Sequence, residues 1–195
     1  AGNALASILF GDVNPSGKLP FTFPARLEDN GAHALGEHPG DSINVKYNES
    51  IFVGYRWADK QKKTKPLFAF GHGLSYTTFA YGKATATKKS LAADETITFT
   101  VPVKNTGSRE GSEVVQLYIG DKKSALPRPI KELKGFSKVK LAPGEEKMVS
   151  FTIDKTDLSY YDDTQNSWVA EPGAFEAFVG ASSADIKSAV SFELR

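Results

Sequence analysis

Cysteine is absent from this sequence of 195 residues. Its absence removes disulfides, thiolate metal sites and cysteine nucleophiles from consideration. An excess of charge of either sign is also missing, with Lys plus Arg at 24, Asp plus Glu at 23 and a net charge of +1. Residues 1–78 hold 8 basic and 7 acidic side chains, which leaves 16 of each for residues 79–195. Neither half is an electrostatic magnet for a polyanion, and a dedicated nucleic-acid binder carries a strongly basic face. No apolar run approaches the roughly 18 residues that cross a bilayer.

What is present is a globular composition, 40% hydrophobic and 24% charged. That balance excludes a disordered, collagenous or coiled-coil chain. Seventeen glycines and ten prolines stand beside 13 Phe and 7 Tyr, as expected of turns alternating with aromatic-rich strands.

Three zones follow along the chain. In residues 1–24, Ala1, Ala4, Leu5, Ile8 and Leu9 repeat at helical spacing, and Gly11 is a natural stop. No capping residue precedes this helix, so the expectation is that it begins partway through and that a segment N-terminal to it is missing. Leu19-Pro20-Phe21-Thr22-Phe23 then reads as a short strand ended by Pro24. A helix, a turn and an apolar strand are half of an α/β unit, and a parallel strand needs cover on both faces. Residues 25–78 are poorly periodic and hold all three histidines, His33, His38 and His72. An irregular stretch of that length is usually functional or wrapped over another body.

Residues 79–195 differ in kind. Apolar side chains alternate at Ile97, Phe99, Val101 and Val103, and again at Val115, Leu117 and Ile119. The pattern returns at Val149, Phe151 and Ile153, at Phe175, Ala177 and Val179, and at Val190, Phe192 and Leu194. Period two means strands with one buried face. Asn105-Thr106-Gly107, Pro143-Gly144 and Pro172-Gly173 supply the turns. Leu133, Phe136, Val139 and Leu141 slip out of period, which predicts a bulged strand. With a first strand over Phe79–Thr87 there are about seven strands, the number an immunoglobulin-like sandwich requires. An up-and-down barrel is the structural alternative.

Motifs for chemistry are weak. Asp12, Asn14, Ser16 and Gly17 resemble half of a calcium loop, but Phe23 stands where a bidentate Glu is needed. His33, His38 and His72 lack the tight local pairing of a zinc site. The basic run Lys60, Lys62, Lys63 and Lys65 beside Tyr55, Arg56 and Trp57 suits a solvated loop better than a nucleic-acid contact. Ser75 lacks the second glycine of a nucleophile elbow. No pair of carboxylates is singled out for glycoside hydrolysis. No metal and no cofactor is expected. The stretch Tyr47 to Trp57 concentrates Tyr47, Phe52, Tyr55 and Trp57 around Arg56. Aromatic faces beside a donor suit a sugar ring; they equally suit anchoring of a long loop, and the anchoring reading weighs more. Asn48-Glu49-Ser50 fits a glycosylation sequon, a three-residue match.

A family resemblance rests on several of these segments. Ile8 to Pro20 (ILFGDVNPSGKLP) resembles the closing helix and strand of the α/β sandwich domain in glycoside hydrolase family 3 β-glucosidases. Tyr47-Asn48-Glu49 through Gly54-Tyr55-Arg56 resembles that family's connecting segment, and Pro66 to Phe79 (PLFAFGHGLSYTTF) its C-terminal signature. Val103 to Gly107, Glu113 to Tyr118, and Pro127-Arg128-Pro129 with Lys131 to Phe136 are similar to its fibronectin type III-like domain.

The resemblance implies a mainly β chain: an α/β remnant over 1–24, a connector over 25–78 wrapped on the catalytic domains, and a β-sandwich over 79–195. It implies a retaining exo-glycosidase that removes terminal β-linked glucose through a covalent glycosyl-enzyme, with one carboxylate as nucleophile and another as acid/base. In the family these stand on an N-terminal barrel and in the α/β sandwich domain before its closing helix. Neither segment is in this sequence, so no catalytic residue is carried over. The expected partners are the N-terminal catalytic domains of the same enzyme, with no nucleic acid and no membrane, and a β-glucoside only in the full-length protein. Periplasmic or extracellular location is expected. Tyr55, Arg56 and Trp57 are the candidates for lying near the sugar-site entrance. The competing reading is a free-standing carbohydrate-binding or structural module, which would need exposed coplanar aromatics on a sandwich face.

Overall fold

The computed structural model describes residues 2–61 and 64–195. Ala1 of the expected helix and Lys62 and Lys63 of the basic run lie outside the described residues. The chain forms the helices α1 (Gly2–Leu9), α2 (Gly31–Ala34) and α3 (Tyr55–Lys60). Among the described residues eleven strands follow, beginning with β1 (Phe79–Tyr81), β2 (Thr85–Ala86), β3 (Ser90–Leu91), β4 (Ile97–Asn105) and β5 (Gly111–Asp121). The remainder are β6 (Glu132–Leu141), β7 (Glu146–Ile153), β8 (Tyr160–Asp162), β9 (Ser167–Val169), β10 (Gly173–Gly180) and β11 (Ile186–Leu194).

Two sheets face each other. In one, β4 pairs with β7 on one edge and with β1 and β2 along the other. The second has the order β3-β11-β10-β5-β6, antiparallel except between β3 and β11. The alternating residues of β4, β5, β7, β10 and β11 supply the space between them, with Ile97, Val101, Val103, Val115, Leu117 and Ala177 fully buried. Phe192 packs edge-on against Phe99 at 5.2 Å and stacked against Phe175 at 5.7 Å, joining the sheets at one end of the core. The fold is the immunoglobulin/fibronectin-type β-sandwich that the alternation predicted, preceded by short helices and irregular chain.

The differences from the expected elements have physical causes. The strand expected over Phe79–Thr87 is divided into β1 and β2. Both lie against β4, with Tyr81 opposite Val103 and Thr85 opposite Thr100. Pro102 stands between those partners; its carbonyl accepts from the Gly82 amide at 2.8 Å, but it has no N–H to return. The ladder breaks at that point. In β6 the register against β5 slips by one, since Leu117 faces Gly135 while Tyr118 faces Leu133. Lys134 is therefore the extra residue of the expected bulge. The strands β3, β8 and β9 are too short for a periodic signal and were not anticipated.

Leu19–Phe23 does not form the expected regular strand. It runs beside Leu67–His72, exchanging bonds between Leu19 and His72, Gly71 and Leu19, and Phe23 and Phe68 at 2.8 Å each, with only the last pair counting as a bridge. A strand needs a continuous ladder partner, and the turn-rich 66–72 segment offers only intermittent backbone groups. Helix α1 forms as expected and stops at Gly11, whose φ is +82°. Asn14 of the half calcium loop acts as a staple. The Asn14 side chain accepts from the Tyr76 amide at 2.8 Å and the Ser75 hydroxyl at 3.0 Å, and donates to the Glu110 carbonyl at 2.9 Å.

Candidate functional site

The outer face of β5 decides how the irregular zone sits on the sandwich. Alternation predicts one buried face, yet Val115 to Gly120 are all buried. Gln116 and Tyr118 project from the second face and are covered by the 67–72 segment and α3. The Gln116 amide donates to the Ala181 carbonyl at 2.9 Å and the Gly71 carbonyl at 3.3 Å, and its oxygen accepts from the Tyr118 hydroxyl. Burial raises the Tyr118 phenol well above its usual range, with Tyr55 and Asp59 adding to the effect.

The three site candidates from the sequence lie on α3 and are brought together there. The Tyr55 ring stacks on Phe70 at 4.9 Å and meets Tyr118 edge-on at 5.8 Å, while its hydroxyl accepts from the Leu133 amide at 2.9 Å. Trp57 is 7% exposed and donates its indole N–H to the Asp29 carbonyl at 3.0 Å. Arg56 pairs with Glu132 at 3.1 Å. Tyr55 and Arg56 thus tie the irregular zone to β6, Trp57 closes contacts within that zone, and of the three only Arg56 lines the groove beside the β8–β9 hairpin. Nearby, the buried Lys131 meets Asp59 at 2.6 Å. Burial raises the Asp59 carboxyl above its usual range, and Lys131 pulls the other way without cancelling it.

The groove, about 790 Å³ in volume, lies between residues 48–60, the strap Leu126–Pro129 with the start of β6, and the β8–β9 hairpin. Its polar wall is a chain of ion pairs. Glu132 joins Arg56 at 3.1 Å to Arg128 at 2.7 Å, and Arg128 continues to Asp121 at 3.3 Å and to the Leu158 carbonyl at 2.8 Å. Lys134, set out of alternation by the bulge, lines the same space and makes no ion pair among the described residues. Burial lowers its ammonium pKa, partly countered by Glu132 and Asp157. Across the groove Glu49 holds one carboxylate oxygen with no hydrogen-bond partner. The aromatic wall is the hairpin. Asp162 fixes its turn by accepting from the Thr164 hydroxyl and the Gln165 amide, both at 2.6 Å, and these bonds hold its carboxyl below the usual range. Tyr161 and Trp168 face each other across β8 and β9, 5.7 Å apart at 72°, with 47% and 70% of their surfaces exposed. The sequence reading missed this pair because a three-residue strand carries no periodic signature.

The histidines divide. His33 and His38 have rings 4.5 Å apart, while His72 stacks on Phe68 at 5.3 Å. Among the described residues no group of three metal-ligating side chains is assembled, and no helix is long and apolar enough to cross a membrane.

A two-sheet sandwich carrying an α-helix-led strap clamped to the outer face of β5 defines a class of domain pair. Residues 1–76 match the glycosyl hydrolase family 3 C-terminal domain, and residues 113–183 match the fibronectin type III-like domain. Through these two matches the chain is homologous to the C-terminal portion of the glycoside hydrolase family 3 β-glucosidases. It is 54% identical over 194 residues to the β-glucosidase BoGH3A of Bacteroides ovatus, covering 98% of the chain and 26% of that protein. To thermostable β-glucosidase B of Acetivibrio thermocellus it is 50% identical over 185 residues, 95% of the chain and 24% of the relative. The solved β-glucosidase of Kluyveromyces marxianus superposes with a TM-score of 0.90 at 43% identity, covering 100% of the chain and 23% of that structure. The chain therefore spans about a quarter of the length of the relatives it matches.

Proposed function

We propose that the chain acts as the C-terminal, non-catalytic part of a retaining β-glucosidase that removes terminal β-linked glucose from oligosaccharides or glycosides. Its role there is domain packing, and its partners are the N-terminal catalytic domains of the same polypeptide. The observation that carries this reading is the distribution of uncovered apolar surface. In the helix and turn at 5–13, Leu5, Leu9 and Phe10 are 59%, 69% and 85% exposed. Ile43, Tyr47, Leu67 and Leu74 of the irregular zone are likewise open, at 90%, 76%, 64% and 75%. The sandwich interior, by contrast, is closed. Exposed apolar groups concentrated on one zone suit burial against further domains. In this reading Tyr55 and Arg56 fix that zone to the sandwich and Trp57 holds the zone together internally. Location in the periplasm or outside the cell belongs to the same proposal and is tested by cell fractionation.

The two carboxylates of a retaining mechanism stand roughly 5–5.5 Å apart across the scissile bond, and no pair here is assigned to that work. The test is hydrolysis of an aryl β-glucoside by the 195-residue chain and by a polypeptide that adds the N-terminal catalytic domains. Turnover by the longer polypeptide and none by the chain is expected; turnover by the chain alone overturns the proposal.

A further inference from the structure

We infer that the groove between the β8–β9 hairpin and the Leu126–Pro129 strap is a non-catalytic binding site for a neutral oligosaccharide. Four properties of the groove select that chemistry, and none depends on the scaffolding role proposed above.

First, its aromatic wall is built to be exposed. Trp168 is 70% and Tyr161 47% accessible on a hairpin whose turn is held by the Asp162 bonds, so the rings stay out of the core by construction. The electron-rich face of an indole or phenol attracts the partly positive C–H groups on the apolar face of a sugar ring. The two rings stand at 72°, an angled cleft and not the flat platform that a crystalline polysaccharide surface would require. With one ring edge-on to the other, the exposed ring face suits stacking of a single sugar residue.

Second, the polar lining offers a cation without an ion pair and a buried acceptor without a hydrogen-bond partner. Lys134 has no ion-pair partner and Glu49 has a partnerless carboxylate oxygen, both among the described residues. A buried polar atom without a partner, such as that Glu49 oxygen, is costly and gains most from a ligand that completes it. A cationic ligand is disfavoured by Lys134 and an anionic one by Glu49. A hydroxyl group both donates and accepts, so a neutral polyol satisfies the two together.

Third, the remaining polar groups are preorganised. The Arg56–Glu132–Arg128–Asp121 chain fixes two guanidinium groups at the groove before any ligand arrives. Ordering them on binding costs little, which favours affinity for a ligand of modest size. Fourth, the volume of about 790 Å³ lies within the ~300–1,000 Å³ of small-molecule sites.

The experiment uses the intact polypeptide that contains this chain. Its catalytic site is kept filled by a saturating iminosugar inhibitor, and a thio-linked, non-hydrolysable cellotetraose is titrated by calorimetry. Binding is expected, with affinity lowered about tenfold by Trp168→Ala, a loss of the size expected when an aromatic contact is removed. Lys134→Met is expected to weaken it by about threefold from the other wall of the groove. Hydrogen exchange should slow on ligand addition at residues 159–169 in the parent and not in Trp168→Ala. Absence of binding to the parent, or unchanged affinity in both variants, overturns the proposal. Aryl β-glucoside hydrolysis by the parent, measured without the inhibitor, reports separately on the function proposed above.

Discussion

Gly71 lies directly against the carboxamide of Gln116, and a Cβ at position 71 would overlap that side chain. The contact joins the irregular zone to the sandwich. Gly71 also holds φ at +79°, a conformation that costs an L-residue roughly 1–2 kcal/mol. Overlap in a filled interior adds about 1–3 kcal/mol. Gly71→Ala is therefore expected to lower stability by about 2–5 kcal/mol, read from the midpoint of urea unfolding. A variant as stable as the parent would show that the 67–72 segment does not need to lie on β5.

Asn105 closes the end of β4 and is fully buried. Its amide donates to the carbonyls of Arg109 at 2.7 Å and Leu141 at 3.0 Å, and its oxygen accepts from the Thr77 hydroxyl at 2.6 Å. Asn105→Ala leaves several buried groups without partners, each costing about 1–3 kcal/mol. A loss of about 3 kcal/mol or more in equilibrium unfolding is the expected result. The isosteric Asn105→Asp removes the two donated bonds and should not rescue it at neutral pH.

The Asp59–Lys131 pair makes a prediction with a sign. Lys131→Met strands a buried carboxylate, and breaking such a pair costs about 3 kcal/mol at neutral pH. Adding Asp59→Asn should recover most of that loss. Burial holds the folded pKa of Asp59 above its unfolded value, and loss of Lys131 removes the opposing pull. The folded state then binds the proton more tightly than the unfolded state. The deficit of Lys131→Met should therefore shrink as pH falls toward the ordinary carboxylate range and grow as pH rises. Urea midpoints across that interval check it, and a deficit independent of pH would count against it.

Trp57 separates anchoring from substrate contact in the full-length polypeptide. Trp57→Ala removes a large buried ring and its bond to Asp29, with an expected loss of about 3–5 kcal/mol. Thermal unfolding at a lower temperature with the same KM for an aryl glucoside is the anchoring outcome. A changed KM with an unchanged melting temperature would instead place Trp57 near the sugar.

The Arg128 guanidinium reaches Asp121, Glu132 and the Leu158 carbonyl at once, with Tyr160 5.5 Å from it. Lysine cannot reproduce that fork. Arg128→Lys is expected to destabilise by about 1–3 kcal/mol and to speed proteolysis within residues 122–131, because the strap loses its tie to the 3-10 turn at Leu158. Equal protease resistance in the two proteins would refute the link.

Alternation at Ile97 to Val103, Val115 to Ile119, Val149 to Ile153 and Phe175 to Val179 was enough by itself to determine strands with one buried face, because period two puts those side chains on one side; the strand pairing decided for two facing sheets over a barrel. The slip at Leu133 to Leu141 likewise announced a bulged strand, which the register places at Lys134, and Gly11 the end of α1. Other features depended on contacts between residues far apart in sequence. Gln116 and Tyr118 read as solvent-facing until the 67–72 segment, some 45 residues earlier, covers them. The division of the first strand arises from Pro102, which lies on its neighbour. Tyr55, Arg56 and Trp57 stood out by composition, but only the packing of α3 showed their polar atoms committed to Leu133, Glu132 and Asp29. The groove depended most on tertiary structure: Glu49, Lys134 and Trp168 belong to three separate segments and line one space only once the chain is folded.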